Sequence, residues 1–307
     1  MIKNKFLLIL LFCVSTAVCS QTVRLIVPFS TGGIVDRSAR LLEKNLSNQL
    51  PYNFVVETRT GAGGIIAANY VAKHHTKETV LLLHSSAIAT NTFNPNSTYD
   101  LGKDFVTVAK LGFVPMALVV NPNSKVSSIK ALKNLKEPTF YGSGGVGTAT
   151  HVAGELLQLQ INQELSPVVY NGEYAALTDV LSNNIPMMFA SVSTVISHAN
   201  SPQLSILATT GTQRNSALPD VPTFAEQGIR NFDRSPNWIV VLANPGADPM
   251  IVAKIRTALA ESFASPQDQE VYRRTGLELN RQPISNVREF LLEEVEKIRP
   301  FHSKLKQ

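Results

Sequence analysis

The chain has 307 residues, a hydrophobic fraction of 44% and a formal net charge of +5. Its basic residues are scattered rather than clustered, which argues against a nucleic-acid-binding protein. Both cysteines, Cys13 and Cys19, lie within residues 1–20, so the remainder of this sequence can form neither a disulfide bond nor a cysteine metal site.

Residues 1–20 have the pattern of an export signal. Two lysines precede an unbroken apolar run, Phe6 to Val14, and small residues follow it. This order is typical of a secretory signal peptide, and the run is far shorter than the ~20 residues of a membrane span. We expect cleavage after Ser20 and a periplasmic location. Lipid attachment at Cys19 is the alternative, but Val18 fits poorly before a lipidated cysteine.

Short β-branched strands alternate with helices in the first part of the chain. The pattern predicts strands at 23–27, 53–57 and 79–83 and helices at 34–49 and 65–73. Such alternation predicts a parallel sheet with helices on its faces. Because ligands of open α/β sheets bind at the carboxyl ends of strands, the turns after the first and third strands are the best candidates for a site.

The alternation repeats over residues 122–235, after an apolar run at 106–120 that ends in a turn cluster. A second apolar segment, 236–243, is interpreted as the return crossing. We predict two doubly wound α/β domains joined by two hinge crossings, with a ligand cleft between them. Domain 1 comprises residues 21–121 and 241–307, and domain 2 comprises residues 122–240.

Two glycine turns that lead into helices are candidate anion sites, at 28–33 and 142–148. A helix N-terminus offers backbone N–H donors and a partial positive charge. Neither turn contains Lys or Arg. Asp36 is expected to hold the first loop through backbone N–H groups, and His151 to orient the second.

Two enzymatic alternatives remain open on these residues. Gly142, Gly144 and Gly147 match G-x-G-x-x-G, a dinucleotide-binding pattern, although a carboxylate needs only the same turn plus a hydroxyl. A hydrolase could use His151 with Ser143 and Asp179, but the sequence has no G-x-S-x-G elbow. We expect no metal site, because His74 and His75 are adjacent and cannot share one helix face.

An ordered set of short motifs resembles the Bug (TctC-type) substrate-binding proteins of tripartite tricarboxylate transporters. The motifs cover essentially the whole chain beyond the signal. They are Val27-Pro28-Phe29 with Gly32-Gly33, Gly61-Ala62-Gly63-Gly64, Tyr99-Asp100 with Lys103-Asp104-Phe105, Tyr141-Gly142-Ser143-Gly144 with Gly147-Thr148, and Leu218-Pro219-Asp220-Val221-Pro222-Thr223.

The resemblance implies a monomeric periplasmic receptor, without enzymatic activity or cofactor, that closes on a small carboxylate. It further implies delivery of that ligand to a membrane transporter or sensor. The ligand-binding positions that match the family are Phe29, Thr31, Gly32, Gly33, Ser85, Ser86, Ser143, Gly144, Gly147, Thr148 and Asp179. Asp36 and His151 match loop-supporting positions. Ala190 stands where the family frequently has an acidic residue and segment 73–80 is shortened, which predicts a different distal pocket.

Overall fold

The structure, a computed structural model, describes residues 21–29, 31–170, 172–230, 232, 236–280 and 286–305. The predicted signal peptide, its cleavage at Ser20 and Cys19 lie outside these residues. None of the described helices is long and apolar enough to cross a membrane.

Strands and helices alternate along the chain as follows. The strands are β1 (Thr22–Val27), β2 (Asn53–Thr58), β3 (Val80–Ser85), β4 (Val106–Phe113), β5 (Met116–Val120), β6 (Thr139–Ser143), β7 (Leu165–Val169), β8 (Met187–Ser191), β9 (Ser205–Thr209), β10 (Trp238–Ala243) and β11 (Glu278–Leu279). The α-helices are α1 (Ile34–Gln49), α2 (Ile65–Ala72), α3 (Ala87–Thr90), α4 (Ile129–Lys133), α5 (Ala149–Ile161), α6 (Glu173–Leu181), α7 (Val192–Val195), α8 (Pro249–Ala264), α9 (Pro266–Arg274) and α10 (Val287–Ile298).

The first sheet has the strand order β11-β4-β10-β3-β1-β2. Its β1 pairs in parallel with both β2 and β3, whereas β10 is antiparallel to its two neighbours. Alternate residues of β1 enter different cores, because successive side chains of a strand point to opposite faces. Leu25 packs with residues of α1 and α8, and Ile26 packs with residues of α2 and α10. Helices therefore cover both faces of this sheet.

The second sheet has the order β7-β6-β8-β5-β9. Its β6 pairs in parallel with β7 and β8, and β5 is antiparallel to β8 and β9. Leu118 and Phe189 belong to a core shared with α5, whereas Val119 and Ala190 belong to a core shared with α6. The predicted fold class, two α/β domains built on two sheets, is confirmed.

The chain passes between the sheets at Val114 and Pro115 and returns before β10. The Val114 N–H donates to the Asn237 carbonyl, 2.8 Å away, so the two passages are hydrogen-bonded to each other. The predicted boundary at 121/122 differs from this arrangement, because it assigns β5 to domain 1 although β5 pairs only within the second sheet. Likewise β10, which the boundary at 240/241 divides, lies wholly in the first sheet. The continuous apolar run at 106–120 conceals the crossing, because β4 and β5 are both largely buried.

Candidate functional site

The carboxyl edges of both sheets are followed by helix N-termini. In the part of the chain that the structure describes, α1, α2, α5 and α6 begin without a capping side chain, at Gly33, Gly64, Thr148 and Gly172. The strands that precede these helices run parallel to one another within each sheet. The helix N-termini of each domain therefore lie together, at the carboxyl edge of that domain's sheet. Uncapped first turns carry positive partial charge and donor N–H groups, which suits an anion.

The two carboxyl edges contact each other. The Thr90 hydroxyl, at the end of α3, donates to the Gly147 carbonyl of the second domain at 2.7 Å. Elsewhere Gly276, just after α9, approaches Ser193 of α7 so closely that a Cβ on Gly276 would lie 2.8 Å from the Ser193 hydroxyl oxygen. The two domains therefore contact each other at the loop after β3, at the glycine loop and at the segments that follow α9 and β8.

The first loop is held by its own helix. The Gly32 N–H donates to Asp36 Oδ2 at 2.9 Å, and Arg40 Nε donates to the same oxygen at 3.1 Å. Arg37 donates to the Gly32 carbonyl at 2.7 Å. Gly32 has φ +88°, a conformation that favours glycine. The backbone N–H of Gly32 is thus used within the loop, while Thr31 and Gly33 are exposed.

Asp36 is a buried carboxylate in the first turn of α1. Burial opposes its ionisation, but the hydrogen bond from Gly32 and the Arg40 guanidinium outweigh burial and hold the Asp36 pKa below its usual range. The negative charge also lies at the positive end of α1, where it stabilises the helix.

The loop after β3 is built around His84, a residue that the sequence analysis missed. His84 is fully buried, its Nδ1 lies 2.9 Å from the Ser85 carbonyl, and the Phe29 ring meets its ring edge-on at 5.4 Å. Burial lowers the pKa of His84 to about 4, so the imidazole is neutral at pH 7. Ser85 Oγ accepts from the Ala87 N–H at 3.4 Å, and Ser86 is buried at the start of α3. The sequence signal was a histidine at the end of an otherwise apolar strand.

The second loop satisfies most of its polar groups internally. Ser143 is fully buried, and its hydroxyl donates to the Gly145 carbonyl at 2.9 Å. The Thr148 hydroxyl donates to the same carbonyl at 2.7 Å. The Gly144 N–H donates to Thr150 Oγ1 at 2.8 Å, which fixes the loop against the start of α5.

The same loop also contacts the predicted supporting residue His151. The Gly147 N–H donates to His151 Nδ1 at 3.2 Å, so this ring nitrogen holds the loop as an acceptor. His151 is buried in the first turns of α5, and the Tyr141 hydroxyl donates to its carbonyl at 3.1 Å.

Asp179 lies apart from the second glycine loop. It sits in the last turns of α6, where its carboxylate accepts from the Tyr170 hydroxyl at 2.7 Å and from Asn184 Nδ2 at 3.1 Å. Its carbonyl accepts from the Asn184 N–H at 2.8 Å, in the turn that precedes β8. That turn lies at the amino end of β8, whereas Ser143 is at the carboxyl end of the neighbouring parallel strand β6.

The acidic residue beside the second loop is Glu173, which the sequence analysis also missed. A Cβ on Gly144 would lie 3.3 Å from Glu173 Cγ. The Glu173 carboxylate accepts three hydrogen bonds, from the Ser191 N–H at 2.9 Å, the Ser191 hydroxyl at 3.0 Å and the Thr194 hydroxyl at 2.7 Å. Glu173 therefore joins α6 and the glycine loop to the start of α7. The only sequence signal was an acidic residue directly after Gly172.

Comparison with known proteins identifies the family. The family model described as "Tripartite tricarboxylate transporter family receptor" (TctC) matches residues 38–306. The chain belongs to the TctC receptor family. The resemblance predicted from the sequence is therefore confirmed.

Relatives and solved structures match almost the whole TctC receptor chain. The BugT protein of Bordetella pertussis is 30% identical over 91% of this chain and 87% of its own length. The periplasmic binding protein BugD has a TM-score of 0.75 at 25% identity and covers 94% of this chain and 99% of its own. A protein of R. palustris solved with adipate has a TM-score of 0.79 at 26% identity, and the match covers 94% of this chain and 97% of that protein's chain.

The hydrogen bonds of this TctC receptor do not favour the two enzymatic alternatives. The N–H groups of Gly144 and Gly147, which a dinucleotide pyrophosphate would use, donate to Thr150 and His151. The Ser143 hydroxyl donates to a backbone carbonyl, and His151 Nδ1 accepts from a backbone N–H. These are loop-shaping contacts, not the serine–histidine contact of a hydrolase. Among the described residues, no group of three or more His, Cys, Asp or Glu is placed to hold a metal ion.

Proposed function

We propose that this TctC receptor binds a small carboxylate in the cleft between its two α/β domains. The observation that carries the proposal is the set of uncapped helix N-termini, those of α1, α2, α5 and α6, at the contacting carboxyl edges of the two sheets. Each supplies N–H donors and a partial positive charge, which together favour a negatively charged group.

The ligand class is supported by a related structure. The R. palustris protein, 26% identical to this chain, was solved with adipate, a dicarboxylate. Since neither loop 28–33 nor loop 142–148 contains Lys or Arg, the backbone N–H groups of the helix N-termini and the hydroxyl of the exposed Thr31 would hold the carboxylate. A neutral donor set of this kind binds an anion without the desolvation cost of a buried cation.

We assign the predicted site residues to three roles. The exposed Thr31 and Gly33, with Phe29, Ser85 and Ser86 beside them, are proposed ligand contacts. Gly32, Ser143, Gly144, Gly147 and Thr148 are proposed to shape the cleft, because each donates or accepts hydrogen bonds within its own domain. Asp179, whose carboxylate accepts from Tyr170 and Asn184 near the amino end of β8, is proposed to support the second domain rather than to contact the ligand.

Membership of the TctC receptor family supports a proposal for the cellular role. We propose an exported periplasmic receptor, with its signal peptide cleaved after Ser20, that acts as a monomer and delivers its ligand to a membrane transporter component or sensor. The receptor carries out no chemical step and needs no cofactor.

A thermal melting screen against mono- and dicarboxylates, amino acids and aromatic acids tests the function. A ligand at 100 times its Kd stabilises the folded chain by ~2.7 kcal/mol, which corresponds to a melting shift of several degrees. Adipate is the first probe. No shift with any anion, together with turnover of an ester or of NAD, would contradict the receptor assignment.

Substitution at the first loop tests the site. Thr31→Ala should weaken binding of a carboxylate found in the screen by about 1–2 kcal/mol if the hydroxyl donates to it. Thr257→Ala, on the exposed face of α8, is the control and should leave affinity unchanged. Equal affinity in both variants would remove Thr31 from the site.

A further inference from the structure

We propose that α5 carries an apolar clamp, formed by Val152 and Leu156, which holds the glycine loop of the second domain against the first domain and thereby strengthens ligand binding. The two side chains are positioning residues, because they act through the arrangement of the domains rather than on the ligand. The effect on binding rests on the proposed function, whereas the clamp itself is measurable without a ligand.

The first two turns of α5 are buried on every side. Residues 149–155 are all buried, although they include the polar His151 and Glu155, whereas Leu159 and Gln160 near the end of the helix are exposed. A helix that lies on the surface of one domain buries a single stripe and exposes the opposite face. The start of α5 therefore lies between two packed surfaces.

One of these surfaces is the core of the second domain. Ala149, Ala153 and Leu157 are spaced four residues apart on one face of α5, and all three belong to that core. The Tyr141 ring on β6 packs so closely on Gly154 that a Cβ on this glycine would overlap the ring. Because these contacts fix α5 to its own sheet, the helix moves with the second domain.

The other surface belongs to the first domain. Val152 is a member of the buried cluster that contains Trp238 of β10 and Ile298 of α10. Leu156, one turn further along the same face of α5, packs against this cluster and also against the core of the second domain. These four side chains line one cavity of about 30 Å³, so the apolar surfaces of the two domains face each other there.

The clamp lies beside the glycine loop. Gly147 and Thr148 directly precede α5, and the Thr90 hydroxyl of the first domain donates to the Gly147 carbonyl at 2.7 Å. Thr90 also lines the cavity between Val152 and Trp238. The polar contact and the apolar contact therefore stabilise the same arrangement, in which the glycine loop lies against the first domain.

Separation of the domains would expose both apolar surfaces to water. In the present arrangement Val152 is only 7% exposed and Trp238 only 1%. A ligand that contacts both domains binds with an affinity that includes the free energy of bringing them together. Burial of apolar area favours that step, so the clamp is expected to contribute to affinity from outside the ligand site.

Trp238 is the only tryptophan in the sequence, so its fluorescence reports on the clamp. In the ligand-free chain, Leu156→Ala should shift the emission to longer wavelength and increase quenching by acrylamide. The radius of gyration from small-angle X-ray scattering should also increase, which separates opening of the domains from a local gap beside Trp238. Leu156→Met keeps an apolar side chain of similar size and should match the unmodified chain. Leu159→Ala, at an exposed position of the same helix, is the matched control.

Calorimetric titration with adipate tests the effect on binding. Leu156→Ala should weaken adipate binding by about 5- to 30-fold, because the variant removes apolar area that the closed arrangement buries. Leu156→Met and Leu159→Ala should bind adipate like the unmodified chain. Saturating adipate should return the radius of gyration of Leu156→Ala to that of the unmodified complex, a recovery that a general loss of folding would not produce.

Two results would overturn the proposal. The first is an unchanged radius of gyration and unchanged quenching in ligand-free Leu156→Ala. The second is equal or tighter adipate binding by this variant, since the contact would then not stabilise the closed arrangement. If Leu156→Ala does not fold, Leu156→Val takes its place and should shift each quantity in the same direction. If the unmodified chain binds no carboxylate, the receptor function fails, while the ligand-free measurements still decide whether the clamp exists.

Discussion

The hydroxyl of Thr90 lies 2.7 Å from the carbonyl oxygen of Gly147 and joins the loop after β3 to the glycine loop of the other domain. Thr90 is buried, and the same hydroxyl also lies 2.9 Å from the Ala87 carbonyl of its own helix. A Cβ on Gly147 would lie 3.1 Å from the Thr90 hydroxyl oxygen. The contact therefore depends on a threonine facing a glycine, and it forms when the two domains are close.

Thr90→Val should weaken ligand binding by about 2- to 10-fold, because one hydrogen bond is worth ~0.5–1.5 kcal/mol and this bond stabilises the arrangement with the cleft closed. Titration calorimetry with adipate, or with another carboxylate from the screen, measures the change. Thr90→Ser retains the hydroxyl and should bind like the unmodified protein. If Thr90→Val and the unmodified protein bind the carboxylate with the same affinity, the Thr90–Gly147 hydrogen bond contributes nothing to closure of the cleft.

The buried imidazole of His84 should make stability depend on pH. Its pKa is about 4 in the folded protein, against about 6.5 when unfolded, so the unfolded chain binds protons more tightly. The neutral His84 imidazole should contribute its full stabilisation above pH 6.5, and this contribution should fall as the pH drops toward 4. The free energy of unfolding should decrease by about 3 kcal/mol over this range. Urea unfolding at pH 7, 5.5 and 4.5 measures it.

Two histidine variants separate this effect from other titrating groups. His84→Asn retains a short polar side chain and should flatten the pH dependence between pH 6.5 and 4. His75→Asn, at an exposed position, should leave the pH dependence of the free energy of unfolding unchanged. An equal slope in His84→Asn and in the unmodified protein would mean that His84 is not the responsible group.

The strands and helices could be predicted because the sequence pattern that indicates each one lies within the element itself. Strand β1 is a β-branched apolar run, and α1 follows it with a three-to-four residue apolar period. The crossing at Pro115 was not located, because β4 and β5 form one apolar run and only strand pairing distinguishes them. Pairing partners are distant in sequence, so a single chain does not reveal them.

The sequence predicts the loops of the candidate site but not the contacts that their side chains make. Glycines and hydroxyls after strands indicated the loops at 28–33 and 142–148, but not that Ser143 turns its hydroxyl inward to Gly145. Glu173 was missed because its partners, Ser191 and Thr194, follow a different strand. A carboxylate in a first helical turn is common, and only the tertiary structure shows that this one joins two helices.

Glu173→Ala should destabilise the second domain and weaken ligand binding. Removing it leaves the Ser191 N–H and two hydroxyls without their acceptor, and hydrogen bonds to a charged group contribute about 1.5–3 kcal/mol. Urea unfolding and calorimetric titration measure the two effects.

Two further variants test the role assigned to Glu173. Glu173→Gln keeps one acceptor oxygen and should recover part of both losses. Glu164→Ala, at an exposed acidic position before β7, should have no effect on either quantity. Unchanged stability in Glu173→Ala would show that Glu173 does not hold the start of α7 in place.

Gly276→Ala should weaken ligand binding by interfering with the second contact between the domains. Gly276 has φ +92°, and its added Cβ would lie 2.8 Å from both Cβ and the hydroxyl oxygen of Ser193. The backbone strain costs about 1–2 kcal/mol and is present with or without ligand, whereas the clash with Ser193 acts when the domains approach. Ser193→Gly in the same chain removes the clash but not the strain. The double variant should therefore recover affinity for the carboxylate while its urea-unfolding stability stays low. If Ser193→Gly restores neither quantity, the loss in Gly276→Ala comes from the backbone of the first domain alone.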